Sequence, residues 1–427
     1  MPALSSTRRI AIVASIGTFI DWYDFFLSAV AAAIVWPTIY FRFVSGSAAL
    51  GLSILTYAVS YFTRPLGAFV FGHLGDRAGR KRTVVFSLVT MGVATFGIAL
   101  TPDYGKIGVA GPILIVVFRL IFGVGVGGEF GGATSWVAEY AARSRRRGFW
   151  NGLVGVANPL GESASAVAFS VASALTGSQF LSWGWRIPFL VGGLGLVFGI
   201  IMRYTTHESP LFESVKREKG IERSPSISVL LRFPFRIILL SLVQLTYVGA
   251  FIFMLEPYSV AYVTRLGASP QFVTFVVGVA TGIAAFFALL GSVLADIVGR
   301  KRIVFVASLL TSIVAFPFFL AVNTLVPLWI LAAYVMFACV NQLGGGPVNV
   351  MFPEQFPTQY RYSGSGLCFQ FGGLIAGVLS GFLLPTIIAA VGPTGAWPYV
   401  AFTTLIMGIV GALSVIPLKE TRDAKLE

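Results

Sequence analysis

The chain has 427 residues, of which 56% are hydrophobic and only 11% charged, with a formal net charge of +13. So little polar surface cannot cover a soluble globule of this length, which excludes the soluble enzymes and soluble binding modules. The positive charge sits in short loops rather than along one continuous face, so nucleic-acid binding is not expected.

Crossing a hydrocarbon core of about 30 Å takes roughly 20 helical residues. On that measure the apolar runs predict twelve spans, at 10–38, 47–73, 83–101, 111–139, 149–176, 185–204, 235–263, 270–295, 302–322, 326–352, 363–390 and 396–417. Arg8-Arg9 ahead of the first run resembles the start of a signal peptide. The run continues to Trp36, however, and contains Asp21 and Asp24, so it reads as a retained first span.

Spans 2 and 3 are joined by Gly75-Asp76-Arg77-Ala78-Gly79-Arg80-Lys81-Arg82, and nearly the same string, Ala295-Asp296-Ile297-Val298-Gly299-Arg300-Lys301-Arg302, joins spans 8 and 9, 220 residues later. An acid ending one span, a glycine turn and a basic cluster opening the next make a tight hairpin, and its recurrence at half the chain length implies duplicated halves. In span 4, Gly123, Gly125 and Gly128 satisfy G-x-G-x-x-G, but inside an apolar span helix packing is the expected purpose. No G-x-x-x-x-G-K-[ST] is present, which disfavours ATP-driven pumping.

The polar stretch 205–234, with one amphipathic helix expected in it, divides an N-terminal bundle (1–204) from a C-terminal bundle and short tail (235–427). The alternate connections, both termini and this linker carry 22 of the 30 Lys and Arg residues, and Arg203 and Arg236 stand at the span ends that adjoin the linker, an asymmetry that places both termini in the cytoplasm. The two cysteines, Cys339 and Cys368, lie in separate spans, and the histidines are only His73 and His207, so no disulfide, metal or cofactor is expected. The expected fold is an all-α integral membrane protein of two pseudo-symmetric six-helix bundles, an architecture that places a transport site between the repeats.

Depth follows from a rise of about 1.5 Å per residue. Counted from the cytoplasmic ends, Asp21 lies roughly 18 Å in, Asp24 roughly 22 Å, Arg64 about 18 Å, Glu129 about 15 Å and Glu162 about 21 Å. Four helices thus bring charge near the midplane, where it must face a partner or a watery cavity. Arg64 can serve as a plain counter-ion, locking the bundle; alternatively, acids outnumber bases around one site and one of them binds a transported proton. Asp21, Asp24, Glu129 and Glu162 are the proton-coupling candidates. Candidates for substrate contact are Tyr23, Arg64, Arg119 nearer the outer mouth, and in the second half Gln244, Tyr247, Asn341 and Gln370. A gate pairing for Glu256 at the outer end of span 7 is a further expectation. On the cytoplasmic side, Asp76 can meet the N-terminus of span 11, Arg80 can pair with Glu139, and Arg300, beside Asp296, with Glu354; together these form a conformational latch.

Several of these segments resemble the major facilitator superfamily and, within it, the metabolite:H⁺ symporter family. They are Asp21-Trp22-Tyr23-Asp24-Phe25-Phe26, Phe62-Thr63-Arg64-Pro65-Leu66-Gly67 with Phe71-Gly72-His73-Leu74-Gly75-Asp76, and Arg119-Leu120-Ile121-Phe122-Gly123 leading to Gly127-Gly128-Glu129. Further along come Gly184-Trp185-Arg186-Ile187-Pro188-Phe189, Glu208-Ser209-Pro210, and Glu354-Gln355-Phe356-Pro357-Thr358 with Arg361-Tyr362-Ser363-Gly364. The hairpin string belongs to the whole superfamily, whereas the set together is specific to the subfamily; Asp21 departs from it, standing where many members have Glu. The resemblance implies the major facilitator fold and proton-coupled import of a small organic acid or zwitterion. Its rivals are a proton-independent facilitator and a non-transporting nutrient sensor. A monomer in the cell membrane is expected, with a small metabolite and protons as its only partners besides lipid.

Overall fold

The computed structural model describes residues 2–44, 46–204, 225–255, 258–392 and 394–424, together with positions 209, 213–214, 217–218 and 426. Its helices make twelve passages. Span 1 is Pro2–Ile34, span 2 is Gly46–Ala58 continued by Ser60–Ala78, and spans 3 to 6 are Arg80–Leu100, Ala110–Tyr140, Arg147–Thr176 and Arg186–Tyr204. Span 7 runs from Pro234–Gln244 through a π turn, Leu245–Gly249, into Ala250–Met254 and Tyr258–Arg265. Spans 8 to 10 are Pro270–Val298, Arg300–Val322 and Pro327–Glu354; span 11 is Arg361–Val378, a π turn Leu379–Leu383 and Leu384–Val391; span 12 is Trp397–Val415. Among the described residues, ten helices are long and apolar enough to cross a bilayer. Large apolar side chains such as Phe86, Val93, Leu175 and Leu194 face outward, as a hydrocarbon solvent requires. The second half of the 205–234 stretch holds a short helix, Pro225–Arg232; His207, Glu208, Pro210, Lys216 and Arg223 lie outside the described residues.

The hairpins are tighter than the apolar runs suggest. Gly79 (φ 114°) and Gly299 (φ 115°) each take a backbone conformation that a side chain disfavours, so one residue ends one helix and starts the next. Arg80 and Arg300 are therefore the first residues of spans 3 and 9 and are fully buried.

Glycines also set how closely the helices pack, and do so alike in both halves. A Cβ on Gly67 would run into the Val124 carbonyl and one on Gly127 into the Arg64 carbonyl, between spans 2 and 4. The matching contacts between spans 8 and 10 are Gly291 with Leu343 and Gly346 with Ala288. Gly127→Val is expected to prevent assembly of the first bundle, since backbone rather than a movable side chain blocks the added atoms. Detergent size-exclusion profiles check this: a monodisperse wild-type peak should give way to aggregate.

The halves meet along spans 5 and 8 and along spans 2, 4 and 11. Ser163 donates to the Gly278 carbonyl (2.9 Å), and Ser135 and Ser365 share a hydrogen bond (3.2 Å).

Candidate functional site

On span 1, Thr18, Asp21, Trp22 and Phe25 follow the i, i+3, i+4, i+7 pattern and so share one helix face. Facing them, spans 2, 4 and 11 bring in Arg64, Glu129, Phe130 and Gln370. Asp21, Arg64, Glu129 and Gln370 line one small internal cavity of about 10 Å³, walled by Trp22, Phe25, Val126, Phe130 and Phe369. Glu129 accepts a hydrogen bond from the Thr18 hydroxyl, 3.1 and 3.3 Å from its two oxygens. The Arg64 guanidinium lies 4.4 Å from the ring centres of both Phe25 and Tyr61, and its Nε and Nη2 have no hydrogen-bond partner among the described residues. Two carboxylates thus share a buried, low-dielectric space with a single guanidinium among the lining residues.

A second cavity of about 30 Å³ adjoins the first across a shared wall of Trp22, Phe130 and Phe369. Phe130 and Phe369 come from opposite halves and stack with ring centres 3.6 Å apart, while Trp22 meets Phe369 edge-on at 6.4 Å. Beyond this aromatic partition the lining is uncharged and polar, with Asn158, Gln244, Gln342 and Asn349 beside Thr18 and Tyr247.

Gln244 and Tyr247 line this second cavity, and the other residues singled out from the sequence lie elsewhere. Asp24 is one turn from Asp21 but leans toward span 3, where Thr95 donates to it. Three residues of helix rotate a side chain by about 300°, enough to send two neighbours on one face to different partners. Tyr23 donates to the Pro188 carbonyl (3.1 Å), and its ring lines a separate apolar groove formed by spans 1, 5 and 6. Arg119 is fully buried, bonded to the Tyr57 carbonyl (3.0 Å) and the Ser60 hydroxyl (2.8 Å), and packed over aromatic rings. These contacts tie span 4 to span 2, away from both cavities. Glu162 is buried, and Asn341 donates to the Thr246 carbonyl (3.4 Å); neither lines either cavity. Tyr247 presents its ring to the second cavity while its hydroxyl bonds Val304 and Ser308 on span 9. Glu256 lies outside the described residues.

At the hairpin face the buried charges form two crossed braces. Arg80 pairs with Asp76 (2.5 Å) and Glu139 (3.0 Å) and donates to the Thr358 carbonyl (2.8 Å) in the other half. The Asp76 carboxylate accepts from the backbone N–H groups of Ser363 (2.9 Å) and Tyr362 (3.3 Å), in the first turn of span 11. A helix N-terminus offers unpaired donors and partial positive charge, so it holds a carboxylate well. Arg361, the first residue of that span, reaches back to Glu139 (3.4 Å).

The mirror arrangement starts from the second half. Asp296 pairs with Arg300 (3.0 Å) and accepts from the backbone N–H groups of Gly148 (2.8 Å) and Phe149 (3.0 Å), at the start of span 5. Glu354 joins Arg300 (3.1 Å) to Arg147 (3.0 Å). Each half's aspartate therefore caps a helix of the other half.

Sequence reasoning missed three parts of this face. Arg147 and Arg361 could have been found as matching residues, each opening the span that the opposite aspartate caps. The third part is the C-terminal tail, where Arg147 donates to the carbonyls of Thr421, Arg422 and Ala424 (2.8–2.9 Å). Glu420 caps span 9 through Arg300 (3.0 Å) and Lys301 (3.1 Å).

A family model described as Major Facilitator Superfamily matches residues 14–380. The inner membrane metabolite transport protein YhjE of Escherichia coli is 33% identical, over 90% of this chain and 88% of the relative. The shikimate transporter of the same organism is 32% identical over 99% and 97%, and its proline/betaine transporter 29% identical over 98% and 85%. Among solved structures, the proton:xylose symporter XylE superimposes with a TM-score of 0.79 at 20% identity, covering 98% of this chain and 97% of that one.

Proposed function

Since this chain belongs to the major facilitator superfamily, we propose that it imports a small organic acid or zwitterionic metabolite together with protons, its two halves (1–204 and 235–427) rocking about the 205–234 linker. It is a multi-pass plasma-membrane secondary transporter and not an enzyme. Relatives named for shikimate, for proline/betaine and for glycine betaine, proline, ectoine and pipecolic acid all carry small solutes with a carboxylate, which is the basis for the substrate class.

One observation carries the reading: Asp21 and Glu129 share a small buried cavity with Arg64, whose Nε and Nη2 lack partners among the described residues. Two acids and one base leave a net negative charge in a medium that tolerates it poorly, and a proton on one acid neutralises it. A solute carboxylate would then take the open donors of Arg64, so that solute and proton enter the site together. Both termini lie in the cytoplasm, as the positive loops argue, and the hairpin face is the cytoplasmic face. The crossed braces hold that face shut in the state seen here and part when the site opens inward. One chain is the working unit.

Glu129→Gln tests the coupling. In proteoliposomes the variant is expected to keep solute exchange between inside and outside within about threefold of wild type. Accumulation driven by an inward proton gradient should fall at least about tenfold, because an amide cannot carry the proton. Undiminished accumulation by the variant would move the proton to another acid, Asp21 first.

A further inference from the structure

We infer that the solute is a carboxylate whose body also bears hydroxyl groups, held across the two central cavities at once. This rests on the transport reading above and narrows it. The charged cavity offers the carboxylate its anchor, the open Nε and Nη2 of Arg64. The adjoining cavity offers something chemically different, a wall of four carboxamides, Asn158, Gln244, Gln342 and Asn349.

Two of those amides have oxygens without a donor among the described residues, Asn158 Oδ1 and Gln244 Oε1, and Gln370 Oε1 on the charged side is in the same condition. A buried acceptor left in that condition has lost its hydration without gaining a donor, which is unfavourable. The hydroxyls already present cannot relieve it. Thr18 donates to Glu129, and Tyr247 is bonded to Val304 and Ser308. The rest of the lining is aromatic, aliphatic or glycine. The Trp22 indole and the amide N–H groups of the wall do not reach these oxygens either, so they are open to donors brought by the solute.

Hydroxyl groups suit it best, because each both donates and accepts and fits a carboxamide turned either way. A quaternary ammonium has no N–H and would leave every one of these oxygens unpaired. A second carboxylate would face amides with no second cation among the described lining residues of either cavity. Trp22, Phe130 and Phe369 stand between the anchor and the amide wall. The body of the solute must lie against their flat faces, which favours a compact ring over a long polar chain.

The test uses full-length protein in proteoliposomes under an inward proton gradient. Uptake of radiolabelled shikimate, quinate and gluconate is measured beside cyclohexene-1-carboxylate, which keeps the ring and carboxylate but has no hydroxyls, and beside proline and glycine betaine. The expected result is accumulation of at least one hydroxylated acid, at least tenfold weaker competition by cyclohexene-1-carboxylate, and no competition by betaine. Gln244→Leu should raise the half-saturation concentration of the hydroxylated acid tenfold or more while leaving the inhibition constant of cyclohexene-1-carboxylate unchanged. A folding defect cannot produce that selective loss. Accumulation of betaine, proline or the hydroxyl-free acid with all three hydroxylated acids excluded overturns the inference and leaves proton-driven transport standing. Absence of gradient-driven uptake for every compound overturns both.

Discussion

Arg64→Gln is expected to reduce carboxylate uptake by about 100-fold or more while the protein still inserts and runs as a single species. Removing one partner of a buried charge pair costs about 2–5 kcal/mol or more, and each 1.4 kcal/mol is tenfold in an equilibrium constant. Gln is shorter and uncharged, so it neither offsets Asp21 and Glu129 nor replaces the two donor nitrogens that Arg64 leaves without partners among the described residues. Arg64→Lys separates charge from geometry. It restores the cation but not the planar fork, and the guanidinium's seat against Phe25 and Tyr61 is shaped for a flat group. The lysine variant should therefore recover only part of the loss, with the half-saturation concentration still raised. Wild-type uptake by Arg64→Gln would reduce Arg64 to a structural counter-ion.

The second large effect belongs to the braces. Asp76→Asn is expected to lower the maximal uptake rate at least about tenfold while changing the half-saturation concentration less than about threefold. The carboxylate holds Arg80 and two backbone N–H groups of span 11 together, and breaking a buried ion pair by removing one partner costs roughly 3–5 kcal/mol. The Arg80 pair lies within the first half, but the two N–H groups belong to span 11 of the other half, so their loss falls on the closed state of the hairpin face and not on the central cavities. Asp296→Asn should behave alike, through Gly148 and Phe149 at the start of span 5. A structural readout accompanies the kinetics. With Cys339 and Cys368 replaced by serine, a cysteine at Ser365 is shielded in the closed state by its contact with Ser135. It should react with maleimide several-fold faster once Asp76 is altered. Unchanged rates of both uptake and labelling would remove the latch role.

The sequence spoke most clearly where physics leaves few choices. A charge inside an apolar run must be near something that answers it, so counting rise per residue was enough to bring Asp21, Arg64 and Glu129 to one level, and the structure has them lining one cavity. The glycine turns at Gly79 and Gly299 were legible because few other residues take that backbone conformation. Depth says nothing of direction, however. Asp24 sits at nearly the depth of Asp21 and turns to Thr95, and Tyr23 turns away toward Pro188.

Uncharged amides were the other blind spot. Asn158, Gln342 and Asn349 cost little enough in a helix to pass as packing, and only their convergence with Gln244 around one cavity sets them apart. The tail was hidden for another reason, since backbone carbonyls accepting from Arg147 leave no trace in side-chain identity. Span 2 reads as one apolar run although its helix is interrupted at Val59, because neither Gly nor Pro marks that position.

The most direct measurement is proton movement evoked by solute. Purified protein is placed in proteoliposomes holding a pH-sensitive dye, with no gradient imposed, and a hydroxylated monocarboxylate is added outside. The account predicts prompt acidification of the lumen at a rate that tracks radiolabelled solute entry, abolished by Glu129→Gln and absent from protein-free vesicles. Solute entry at the wild-type rate without any acidification would contradict it and make the chain a facilitator, with Asp21 and Glu129 as structural charges.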